Sequence, residues 1–221
     1  MSEAQTAKLD AIKQEIAACT DCRLYQNATN PVPGYGDPNA EIIFIGEAPG
    51  FNEDKQGLPF VGRSGRYLDY LLNLIDMKRE QVFITNVVKH RPPDNRDPQS
   101  DEIVACKHYL DRQIEIIDPM VIATLGRFSM ARYFPNGKIS RIHGQPKYED
   151  GRAYYPLFHP AAALRNPGLR LDMEADIKRL LEVIAEVKRR RAEGDVPGGD
   201  DAPPDEHDDK DDQPPEQLRL F

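Results

Sequence analysis

Cysteine is scarce in this chain, with three in 221 residues. An odd count that low argues against the disulfide framework that staples small secreted domains. No apolar run approaches the ~20 residues needed to span a bilayer, so no membrane association is expected. The opening MSEAQTAKLDAIKQEI is charged and lacks the apolar core of a secretory signal. A cytoplasmic protein is expected, and nothing in the sequence calls for more than a monomer.

The net charge of −8 is unevenly spread. Residues 193–221 carry −9, while residues 1–192 stand at +1. The acidity therefore belongs to the tail. A body near neutrality leaves nucleic-acid binding open, because such binding depends on local patches. The tail from 193 to 216 is rich in Asp, Pro and Gly with almost no apolar side chains, and is expected to be a disordered linker.

The body alternates between two kinds of segment. Leu9, Ile12 and Ile16 have helical spacing over 7–18. Short apolar runs at 41–46, 82–86, 121–125 and 154–158 fit strands of a buried parallel sheet. Between them lie a loop over 47–63, a helix that Ser64 is placed to cap, a loop over 87–99 and a helix over 100–117. A last helix covers about 171–191. This order predicts an α/β fold, a three-layer αβα domain over 1–192 around a central, mainly parallel four-stranded sheet. Ligands of such sheets bind beyond the carboxyl ends of the strands. There Gly46-Glu-Ala-Pro-Gly50, Asn86 and His159-Pro160 would converge.

The cysteines suggest a metal. Cys19-Thr-Asp-Cys22 lets two thiolates face one centre, and Cys106 is a third. His90, just after a strand, is a candidate fourth ligand, with His108 a rival on the Cys106 helix. His90 also reads as an ordinary solvated loop histidine. Imidazole replaces thiolate in some iron–sulfur sites, yet zinc accepts the same Cys3His set.

Three segments together carry a resemblance. GEAPGFNEDKQGLPFVGRSGRYLD (46–69), ITNVVKHRPPDNRDP (84–98) and FHPAAALRNP (158–167) resemble the family 4 uracil-DNA glycosylases, iron–sulfur enzymes of the uracil-DNA glycosylase superfamily. The likeness runs in the same order over about 5–190. It implies a structural [4Fe–4S] cluster on Cys19, Cys22, His90 and Cys106. The family normally has cysteine where this chain has His90. Histidine there resembles a relative that crosslinks covalently to uracil, but that relative carries an inserted basic loop with a nucleophilic histidine. Residues 91–100 hold no such insert and no histidine, so ordinary hydrolysis is expected.

The resemblance also suggests roles. A base must leave the stack before its glycosidic bond can be cut. Phe60 would stack on the uracil, although a lone Phe would otherwise read as a loop anchor. Asn86 would read the base, since an amide can donate to O4 and accept from N3–H. His159 would stabilise charge developing on O2. Gly46 and Ala48 would contact the base through the backbone. Ala48 stands where other branches have an Asp that positions water, which leaves Glu53 and Glu47. Glu53 is expected beside the water and Glu47 is expected to hold the loop, though both could be loop-capping acids. Leu164 would wedge into the vacated stack and Arg165 would meet a phosphate. Arg141, His143 and Lys147 are further candidates for the DNA backbone.

Uracil-containing DNA is thus the expected substrate, with excision leaving an abasic site for base excision repair. The alternatives are a uracil-DNA crosslinking protein and a non-enzymatic zinc-dependent nucleic-acid-binding protein. The chain closes on Gln217-Leu218-Arg219-Leu220-Phe221. This resembles the short motif with which bacterial repair proteins bind the sliding clamp. Leu218, Leu220 and Phe221 have no reason to end an acidic tether unless a pocket receives them, and Gln217 completes the motif.

Overall fold

A computed structural model describes residues 2–194. The expected linker beyond 194 and the expected clamp-binding peptide 217–221 lie outside the described residues. The elements run α1 (Ser2–Ala17), β1 (Tyr35–Gly36), β2 (Ile42–Gly46), α2 (Phe51–Gln56), α3 (Arg63–Asn73) and β3 (Phe83–Asn86). They continue with α4 (Ser100–Ile117), β4 (Val121–Leu125), α5 (Arg127–Ala131), α6 (Ile139–Ile142), β5 (Lys147–Glu149), β6 (Arg152–Leu157), α7 (Pro160–Arg165) and α8 (Arg170–Glu193).

The sheet has six strands in the order β1-β3-β2-β4-β6-β5. β3, β2, β4 and β6 pair in parallel, as their unbroken apolar runs require. The two additional strands, β1 and β5, are short antiparallel edges. Two and three residues long, they leave no periodicity in the sequence. β5 and β6 turn through Asp150 (φ 52°) and Gly151 (φ 71°). Positive φ at both positions is the two-residue turn that matches strand twist, and Asp-Gly suits it.

Alternation along the strands sends side chains to both faces. Ile42, Phe44, Val121, Ala123 and Tyr155 pack with Leu68, Leu72, Ile177 and Leu180 of α3 and α8. Ile43, Ile45 and Ile122 pack with Ile12, Ile16, Ile103 and Leu110 of α1 and α4. The three layers are those expected. The stretch 47–63 is not all loop, because α2 lies inside it. Gly62 caps α3, and Ser64 sits within its first turn.

Candidate functional site

The carboxyl ends of β2, β3, β4 and β6 open into one cleft of about 510 Å³, lined among others by Glu47, Ala48, Glu53, Phe60, Asn86 and His159. Residues from distant parts of the chain do meet there. The Phe60 ring lies 5.6 Å from the His159 ring, inclined by 31°. Gly46 pairs in register with Asn86 at the strand ends. A Cβ on Gly46 would stand 2.4 Å from Asn86 Oδ1 and 2.7 Å from the Phe60 ring. The missing side chain is what lets the amide and the aromatic face share the floor.

Phe60 has φ 53°, a backbone region that costs a bulky residue of order 1–3 kcal/mol. Its surroundings hold it there. Arg79 Nη2 donates to the Phe60 carbonyl at 2.8 Å. A Cβ on Gly65 would sit 1.7 Å from that same carbonyl oxygen, so α3 can pack against it only through glycine. Glu53 Oε1 accepts from the Val61 and Gly62 amides at 2.9 and 2.8 Å. Glu53 therefore makes the loop-holding contacts that the sequence suggested for Glu47. Arg79 and Gly65 carry no signal of these roles in the sequence, where Gly65 is only a break in the α3 pattern.

Glu47 is the carboxyl with an unusual environment. Burial raises its pKa to about 7, with further upward contributions from the charge of Asp97 and a hydrogen bond to it. Asp97 also pairs with Arg127 at 2.5 Å. His159 caps α7, its Nδ1 accepting from the Ala161 amide at 3.1 Å. Burial, helped by the charge of Arg165, lowers its pKa to about 4. Arg165 lines the cleft; Leu164 is half-buried and does not. Leu171, at 77% exposure, is a far more available apolar side chain. Of the other basic candidates, His143 Nδ1 is engaged by Asp176 at 2.8 Å, and Lys147 lies in edge strand β5 paired with Glu149.

Behind Asn86 runs a polar network that the sequence does not announce. The fully buried Lys89 donates to Thr85 Oγ1 at 2.7 Å, to the Asn86 carbonyl at 2.8 Å and to Gln113 Oε1 at 2.8 Å. Gln113 Nε2 in turn donates to the Pro33 carbonyl at 2.6 Å. The backbone here is pinned too. Val87 N bonds Gly46 O, Val88 N bonds Glu47 O, and Val32 N bonds Lys89 O.

Four residues on from Asn86, His90 lines a small cavity together with Cys19, Cys22 and Cys106. The end of α1, the β3 exit and α4 thus bring all four expected ligands to one place. His108 is exposed, with Nδ1 at 3.0 Å from the Ala105 carbonyl, and does not line the cavity. Burial raises the Cys106 thiol to about 11 and also raises Cys22, while it lowers His90. Among the described residues, no group of three or more His, Cys, Asp or Glu side chains is set as a ready site for a metal ion. No helix among them is long and apolar enough to cross a membrane.

Comparison with known proteins bears on this cleft. The model of the uracil DNA glycosylase superfamily matches residues 33–185. A type-4 uracil-DNA glycosylase of Sulfurisphaera tokodaii is 49% identical, over 82% of this chain and 87% of its own. That of Archaeoglobus fulgidus is 46% identical, over 79% and 92%. That of Thermotoga maritima is 44% identical, over 72% and 84%. The chain belongs to the uracil DNA glycosylase superfamily, and within it to the type-4 glycosylases.

Proposed function

We propose that this protein hydrolyses the N-glycosidic bond of uracil in DNA, leaving an abasic site as the first step of base excision repair. The observation that carries the reading is the meeting of Phe60, Asn86 and His159 in one cleft, with Gly46 between the amide and the Phe60 ring. Phe60 offers the extruded base a π-face, and its strained backbone is held from three sides. Asn86 presents an amide to the O4 and N3–H edge. As the C1′–N1 bond breaks, its electrons pass to N1 and O2. The Nε2–H of a neutral His159 donates to that oxygen, and a donor aimed at developing charge is worth more there than in the ground state. Water adds at C1′ and gives up a proton. Glu47 is the residue best suited to orient that water and accept the proton, because its pKa lies close to neutrality. Glu53 supports the reaction through the loop that holds Phe60. Leu164 and Leu171 are the apolar candidates for the gap left in the stack, and Arg165 for a phosphate.

Cys19, Cys22, His90 and Cys106 would hold a [4Fe–4S] cluster. The fit rests on three thiols and a neutral imidazole around one cavity, a soft donor set suited to iron–sulfur ligation. Bound there, the cluster supplies a cross-link between the end of α1, the β3 exit and α4. Residues 217–221 would recruit the enzyme to the sliding clamp.

The test is incubation with a uracil-bearing oligonucleotide, then alkaline cleavage. A break at uracil alone is expected, with thymine and cytosine strands intact. No break would overturn the reading. A denaturing gel before alkali separates turnover, with free DNA, from covalent capture, with a shifted band. Visible absorption separates an iron–sulfur protein from a colourless zinc one.

A further inference from the structure

Phe51 opens α2 directly after Gly50, which lines the cleft, and the residue is 50% exposed. Lys55, one turn along α2, holds its Nζ 4.3 Å from the ring centroid. Arg91, from the loop after β3, brings its guanidinium carbon to 5.2 Å. The placement of Arg91 is built. Its Nε donates to Asn95 Oδ1 at 2.7 Å. Asn95 lines the cleft from a tight turn in which Asp94 and Asn95 both have positive φ, 54° and 55°. Arg96 anchors that turn to the buried Glu102 at 2.6 Å.

Arg79, Arg96 and Arg127 are each ion-paired. Lys55 and Arg91 have no carboxylate partner among the described residues. An exposed aromatic ring with two cations that lack a carboxylate partner, continuous with a cleft rim, matches one kind of ligand well. Stacking on an aromatic ring while cations track the backbone is how proteins hold unpaired nucleic-acid strands.

We infer that Phe51, Lys55 and Arg91 form a nucleotide subsite beside the cleft, where a base flanking the extruded uracil stacks on Phe51 and adjoining phosphates meet Lys55 and Arg91. This rests on uracil excision as the function. The subsite binds the strand independently of the base in the cleft, which allows a separate test.

The probe is a single-stranded uracil oligonucleotide carrying 2-aminopurine at one neighbouring position at a time, with the full chain. At one position the fluorescence is quenched on binding. Phe51→Ala abolishes that quenching and weakens binding by roughly tenfold; Phe51→Tyr restores both. Lys55→Ala and Arg91→Ala each reduce the slope of log K against log salt by about 0.7. If Phe51→Ala binds and quenches as the parent does, the subsite does not exist. If binding falls equally for every probe position and Phe51→Tyr does not rescue, Phe51 is structural and the inference fails. Failure of excision in the parent protein would instead strike the proposed function, while quenching on the uncut strand would still judge the subsite.

Discussion

The backbone amide of Ala161 donates to Nδ1 of His159 across 3.1 Å. An imidazole nitrogen that accepts such a bond carries no proton, so in the neutral ring the proton sits on Nε2. With a pKa near 4, the ring stays neutral through the physiological range. His159→Ala is expected to reduce kcat by about 100- to 1000-fold, the usual loss for one such donor. Binding of the uncleaved strand should fall far less. Single-turnover kinetics beside a binding titration would separate the two; unchanged cleavage would remove His159 from the reaction.

The Glu47–Asp97 pair is expected to set the pH response of the proposed reaction. A water-orienting carboxylate must be ionised, so kcat/KM should fall as pH drops through about 7. Asp97 raises the Glu47 pKa by its charge, so Asp97→Asn should move this acid limb to lower pH. Loss of the Asp97 pairing leaves Arg127 free to favour the carboxylate, which acts in the same direction. Glu47→Gln should lower the rate at all pH values and flatten the limb. A pH–rate profile on all three proteins decides it; a limb unmoved by either change would sink the role of Glu47.

Gly46→Ala offers a test of the shared floor. Its new methyl would crowd both Asn86 and Phe60. Overpacking of this kind costs typically 1–3 kcal/mol, and activity should fall by more than the loss in melting temperature explains. Normal kinetics would mean that the amide and the ring need not lie so close.

Much of the fold is legible in the residues alone. The four parallel strands show themselves as apolar runs, and the helix over 100–117 matches α4 residue for residue. Asn86 and His159 are legible at strand ends, whereas Phe60 stands out only through the resemblance of its motif. What stays hidden depends on contacts rather than residue type. Nothing about Glu53 and Glu47 in sequence says which one the Val61 and Gly62 amides will take. The roles of Gly65 and Arg79 depend on the unusual turn at Phe60, which no periodicity encodes. Lys89 reads as a surface lysine in a charged stretch, and only the fold places Thr85 and Gln113 around its ammonium. The β5–β6 hairpin does leave a signal, Asp150-Gly151, but its first strand is too short to show a period.

The cavity of thiols predicts a brown protein. Cys106→Ser should lose the visible absorption and most of the iron, whereas His90→Cys should keep both, since thiolate is an equally suitable donor. A parent protein that is purified under anaerobic conditions and binds zinc but no iron would overturn the cluster assignment.

The terminal peptide should act apart from the chemistry. Removal of 217–221 is expected to leave excision on short oligonucleotides unchanged and to abolish binding to the sliding clamp, measured by surface plasmon resonance. Equal clamp binding by the shortened chain would end this proposal.

Between Asn86 and His90 there is no slack, since each intervening residue is fastened to a different neighbour. Chemistry can therefore change at position 90 more freely than length can change before it. One inserted residue would force a choice between a correctly aimed Asn86 and a complete set of four donors. An engineer seeking to vary this protein can exchange side chains on either side of that short span, but should leave its residue count alone.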